Sequence, residues 1–238
     1  MYKAAVPFPV LPGKDASQVA AVLRADPAGY AESRRRAGVH LERAYEMPTP
    51  MGTFLIAYLE SDRPYAEATA EAARSELAVD RAFAAAVKEV HGIDITQPPP
   101  PGPPPEVLGD WVDETVTTRK RGIAFCVPVL AGAEETGRAF AREAYTNRRD
   151  EFAASRRAIG ACREVAVLNT TPSGQLIAVY GEADDPVEAN RLFAQSTSPY
   201  DVWFKEQLTR IFPPDVDFNV PLPPITEIFD SQEILVAR

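Results

Sequence analysis

The sequence predicts an α+β protein in which one β-α-β-β-α-β plan is written twice. Three observations predict it. The phrase TPMGTFLIAYLESDRP at Thr49–Pro64 returns as TPSGQLIAVYGEADDP at Thr171–Pro186. At a constant offset of 122, thirteen of the 32 positions from Ser33 to Pro64 are identical and no gap is needed. Within each copy the apolar period alternates between two and about 3.6 residues, the mark of strands alternating with helices.

The elements follow in order. AAVPFPV (Ala4–Val10) and GIAFCVPVL (Gly122–Leu130) are apolar, β-branched runs and read as first strands. PVLPG at Pro9 meets PVLAG at Pro128 at offset 119, so the second copy has three extra residues in its first helix. Asp15 and Gln18 have capping-box spacing, and Val19, Val22, Leu23 and Tyr30 form one helix face, with a break expected at Pro27. The second copy's stripe is Phe140, Ala141, Ala144, Tyr145, Arg148 and Phe152. Gly38 and Gly160 end these helices. VHLERAYEM and ACREVAVLN alternate as second strands, Thr-Pro-x-Gly turns the hairpin, and GTFLIAYLE and GQLIAVYGE return. A second helix starts at Pro64 and Pro186, broken near Ser75 and at SPYD, where Ser198 can cap. GIDI and DVDF are expected as short fourth strands. TQPPPPGPPPEV (Thr96–Val107) and NVPLPPITEIFD then read as stiff arms anchored by Leu108, Trp111, Ile225, Ile228 and Phe229. This order is the ferredoxin-like motif. Each such sheet has helices on one face, so the two copies are expected to cover one another's bare faces. The expected domains are 1–115 and 116–238, each a repeat with its proline-rich arm.

Composition narrows the function. The apolar fraction of 45% can fill a core, and a net charge of −9 disfavours nucleic acid and anionic membrane surfaces as main partners. No apolar run has membrane-spanning length, and the N-terminus lacks a secretion signal, so a cytoplasmic protein is expected. Cys126 and Cys162 stand on strands that a ferredoxin-like sheet separates, so no disulfide is expected, and neither lies in a zinc-binding motif. No phosphate loop or nucleophile elbow is present.

The Gly-led hairpin strand, the Asp-x-Pro helix start and the late helix YDVWFKE resemble the dimeric α+β barrel superfamily, which includes the antibiotic-biosynthesis monooxygenase-like proteins. The resemblance spans the chain twice, to about residue 96 and from about 122 to 220. It implies two ferredoxin-like repeats forming an intrachain dimeric α+β barrel. It also implies a range of activities: cofactor-independent monooxygenases, haem enzymes, small-molecule isomerases. The haem branch takes a proximal histidine from the second repeat. Here both histidines, His40 and His91, lie in the first, so haem ligation is not expected. No cofactor and no metal are expected.

The residues offer few polar candidates. His40 and Glu42 share a face if the strand alternates strictly, and a histidine beside a carboxylate can act as a general base. Glu42 recurs as Glu164, however, which favours a structural strand pair. Tyr58 recurs as Tyr180, in core or pocket. Arg34, Arg35, Arg156 and Arg157 read as cations that complement helix C-termini. The expected ligand-binding set is His40, Glu42 and Tyr58 in copy one, with Arg163, Glu164 and Tyr180 as their counterparts in copy two. Copy one is expected to carry the site, because Cys162 and Arg163 replace His40 and Leu41 in copy two. No catalytic residue is assigned. Two readings remain: a protein that binds a small apolar or aromatic molecule or acts as a scaffold, or a cofactor-independent monooxygenase or related enzyme acting on an organic metabolite. Self-association into a homo-oligomer stays open.

Overall fold

The computed structural model describes residues 1–97 and 102–235. It divides into two compact units, Met1–Pro105 with Ile225–Arg238, and Glu106–Pro224. Each is a four-stranded antiparallel sheet with helices, and the α+β class and the two ferredoxin-like repeats are as the sequence predicts.

In unit 1, β1 (Tyr2–Pro9) pairs with β3 (Gly52–Ser61), and β3 pairs with β2 (Val39–Thr49) across the hairpin. The Pro27 break is present: α1 (Ser17–Ala25) stops, and α2 (Pro27–Ala37) restarts with Asp26 accepting the Gly29 N–H at 2.9 Å. Gly38, at φ 70°, closes α2 with its N–H on the Arg34 and Arg35 carbonyls, a left-handed position that glycine fills without strain. α3 (Tyr65–Arg74) and α4 (Ala78–His91) follow, broken at Ser75.

Unit 2 repeats this with differences. It opens with β4 (Glu106–Val112). β5 (Arg121–Pro128), β6 (Ala161–Thr171) and β7 (Gly174–Ala183) copy β1, β2 and β3. α5 (Glu134–Arg142) runs through a π-helical turn at Glu143–Asn147 into α6 (Arg149–Ala158), where copy one has a break. The three extra residues and the missing proline allow this path. α7 (Pro186–Gln195) and α8 (Pro199–Leu208) are capped by Asp185 and Ser198.

Two expectations are corrected. GIDI and DVDF form no strand. The fourth strand of each sheet comes instead from the other repeat's arm: β4 pairs with β6, and β8 (Thr226–Asp230), leading into α9 (Ser231–Leu235), pairs with β2. The strand orders are β1-β3-β2-β8 and β4-β6-β7-β5, with the added strand beside the second strand of each repeat. The domain limits therefore differ from 1–115 and 116–238, because each arm completes the sheet it does not follow in sequence. Trp111 on β4 and Phe229 on β8 are buried, as their role as anchors requires. Residues 98–101 of the proline run lie outside the described residues.

Candidate functional site: a cavity in the second unit

The site begins with residues that the duplication repeats. In unit 2, Arg156 in the last turn of α6 reaches Glu164 on β6, with Nε donating at 2.7 Å and a terminal nitrogen at 3.3 Å. Its other arm donates to Ser155 at 3.1 Å and stands 3.8 Å from Asp201. Ser155 donates in turn to Asp201. In unit 1 the same four positions make the same contacts: Arg34 to Glu42 at 2.6 Å, Arg34 to Ser33 at 3.0 Å and Ser33 to Asp80 at 2.6 Å. Arg34 and Arg156 are thus buried ion-pair partners and not solvent-facing complements to a helix dipole. Arg156 also lies within 5 Å of the ring centroids of Phe152, Phe193 and Phe204, a position in which the ring faces attract the guanidinium.

Each glutamate also accepts a phenol, and here the copies diverge. Glu42 takes Tyr30 at 3.0 Å, whereas Glu164 takes Tyr145 at 2.6 Å. The residue aligned with Tyr30 is Phe152, and Tyr145 comes from the π-helical turn one helix segment earlier. The same bond is made by a residue from a different part of the helix. Burial, followed by the charge of Glu164, raises the Tyr145 pKa well above the usual phenol range, so Tyr145 remains a donor. Burial acts to raise the Asp201 pKa. Hydrogen bonds from Ser155, Ser196 and Ser198, and the charge of Arg156, outweigh it, and the net direction is downward.

Beside this network, between the helices and the helix-facing side of the sheet, lies a cavity of about 150 Å³. Its walls are mainly apolar, with Ile123 and Val179 from the sheet, Phe140, Phe193 and Phe204 from helices, and Phe218 from the loop after α8. Tyr145, Arg156, Glu164 and Asn190 supply the polar part. Two replacements relative to copy one open this space. Gly181 stands where copy one has Leu59, and Ala161 where it has Val39. Gly181 pairs with Glu164 in register, so the missing side chain lies next to the carboxylate.

The expected set is not brought together. His40 is the extra residue of a β-bulge between Val39 and Leu41, which breaks strict alternation. Its ring is half exposed and pairs with Asp62 at 2.8 Å, away from Glu42. Tyr58 sits opposite Arg43 in register while Glu42 sits opposite Leu59, so Tyr58 and Glu42 occupy opposite faces of the sheet. Tyr58 donates to Glu60 at 2.6 Å, and Tyr180 likewise to Glu182 at 2.7 Å. Arg163 borders the cavity, but its side chain lies 3.4 Å from Glu182, on the face away from the helices. Of the six residues, only Glu164 presents its carboxylate to the cavity. The cavity belongs to copy two, whereas the replacement of His40 and Leu41 by Cys162 and Arg163 predicts a site in copy one. Ser155, Asp201, Tyr145 and Asn190 were missed; for the first two, identity with Ser33 and Asp80 was the available signal.

The cysteines stand apart from this site. Neither is in a disulfide, and β7 separates their strands. Burial pushes the Cys126 thiol up to about 12, which leaves it a poor nucleophile. His91 is buried with Nδ1 donating to the Pro9 carbonyl at 2.9 Å, and burial lowers its pKa. Among the described residues no group of three or more potential ligands could hold a metal ion, and no helix is long and apolar enough to cross a membrane.

No protein-family model matches the chain, and no curated protein matches it. Among solved structures, one described as a putative monooxygenase from Fusobacterium nucleatum is similar at a TM-score of 0.50 and 10% identity, over 96% of this chain and 92% of that one. An anthrone oxidase-like protein is similar at a TM-score of 0.48 and 9% identity, over 94% and 88%. The first similarity shows a shared fold.

Proposed function

We propose that this chain binds a small, largely apolar molecule in the cavity of unit 2. The observation that carries this reading is the replacement of Leu59 by Gly181 on the helix-facing side of an otherwise repeated sheet. The ion-pair network beside it is kept intact, so space was opened without loss of the structural frame. A cavity of roughly this size lined by apolar groups can stay dry and admit one aromatic ring. The test is Gly181→Leu, which restores the residue of copy one. A Cβ at Gly181 meets only the Arg163 carbonyl oxygen, at 3.4 Å, so the backbone accepts a side chain there. Toluene binding, followed by chemical-shift changes at Val179 and Phe204, should be present in the parent and lost in Gly181→Leu. Toluene bound equally by both proteins would exclude the cavity as the site. A parent that binds no aromatic probe would leave the scaffold role.

A second reading, a cofactor-independent monooxygenase, is supported by the name of the Fusobacterium nucleatum neighbour and by the Tyr145–Glu164–Arg156 group at the cavity wall. It predicts dioxygen uptake when an electron-rich aromatic is supplied, abolished by Gly181→Leu. An oxygen electrode trace unchanged by any such addition would remove it.

A further inference from the structure

We infer that the ligand of this cavity is a neutral, single-ring molecule bearing an O–H or N–H donor, which Glu164 accepts while the Asn190 amide donates to it. This rests on the binding reading above and narrows it to a chemical class.

A carboxylate offers about four acceptor sites. Glu164 uses three, on Tyr145 Oη, Arg156 Nε and a terminal Arg156 nitrogen. Glu164 lines the cavity and its side chain is 17% exposed, so one acceptor site remains for a partner there. Asp201 offers no alternative, because Ser155, Ser196 and Ser198 already donate to it. Asn190 lines the same cavity, and its Oδ1 accepts the Leu222 N–H at 2.8 Å. That bond fixes the amide orientation and leaves Nδ2 as a donor with no partner among the described residues. The cavity thus presents one acceptor and one donor on an apolar wall.

Charge disfavours anions. The network holds one cation, Arg156, against two carboxylates, Glu164 and Asp201, and the two other charged residues at the cavity, Arg163 and Glu182, pair with one another. An anionic ligand would enter beside a group already negative by one unit, in surroundings that screen charge poorly. A neutral donor satisfies Glu164 at no such cost. The volume of about 150 Å³ sets the size at one ring.

The full chain is titrated at pH 7 with phenol, toluene and benzoate by nuclear magnetic resonance. Phenol is neutral there, since phenols titrate near pH 10. Phenol should bind about tenfold or more tightly than toluene, the margin expected of a hydrogen bond to a charged acceptor, and benzoate should cause no shifts. Equal affinity for phenol and toluene, or tighter binding of benzoate, overturns the ligand class while leaving the cavity as a binding site. No binding of any of the three overturns both. Glu164→Gln should erase the preference for phenol with toluene binding unchanged; a preference that persists counts against the inference. Should that variant fail to fold, Asn190→Ala leaves the Arg156 network whole. It should weaken phenol several-fold and leave toluene unaffected; unchanged phenol affinity overturns the inference.

Discussion

Asp201 shows how one buried carboxylate ties stability to pH. Its pKa is lowered in the folded protein, so its contribution is fully present above the unfolded value, about 4, and is lost as pH falls through the folded value. Acidification below about pH 4 should therefore destabilise unit 2 progressively. Asp201→Asn should be less stable than the parent at pH 7 and show a flatter dependence between pH 5 and pH 2, measured by urea unfolding across that range. Identical slopes for the two proteins would remove Asp201 from the account. The exposed arginines beside the network behave differently. Among the described residues Arg35 and Arg36 of unit 1 pair with Glu32 alone, a residue one turn away on the same helix, and such surface pairs contribute little.

The element that distinguishes the two copies is the π-helical turn at Glu143–Asn147. It turns Tyr145 toward Glu164, and the ring then needs room on β4. Gly109 supplies it: a Cβ there would lie 2.3 Å from the Tyr145 ring. The strand is bulged between Val107 and Gly109, which accommodates the approach. Gly109→Ala should cost about 1–3 kcal/mol by overpacking. In a Tyr145→Ala background the same Gly109→Ala change should cost less, because the clashing ring is gone; chemical denaturation of the two single variants and the double variant measures this coupling. A Gly109→Ala protein as stable as the parent would show that Tyr145 has another seat.

On the scale of the whole chain, the exchange of fourth strands makes unit 1 depend on residues more than 100 positions beyond its main segment. β8 and α9 bring Phe229 against Tyr30, ring centroids 5.5 Å apart. They also bring Asp230 to Arg43 at 2.9 Å, and the Ser231 hydroxyl accepts the Glu42 N–H at 3.0 Å. Phe229→Ala should cost about 3–5 kcal/mol, the range for deleting a buried aromatic side chain. Hydrogen exchange should show the loss first in β2 and α2. Uniform loss over both units, with no excess at β2, would argue against β8 as a local fastener of unit 1.

The sequence by itself determined the repeated phrase, the order of the first three strands and their helices within each copy, the helix breaks at Pro27, Ser75 and Ser198, and the hairpins. These follow from local preferences and apolar period, which act over a few residues and leave their mark in order along the chain. Tertiary structure alone decided three matters. Which sheet receives an arm depends on pairing between distant strand edges, so Gly92–Ile95 was expected as a strand and Glu106–Val112 became one. Which way His40 points depends on a single-residue bulge, which shifts the alternation that a sequence reading must assume. And the cavity arises because Leu59 became Gly181 directly opposite Glu164, a neighbour relation set by strand register, which comparison of the two copies along the chain does not contain.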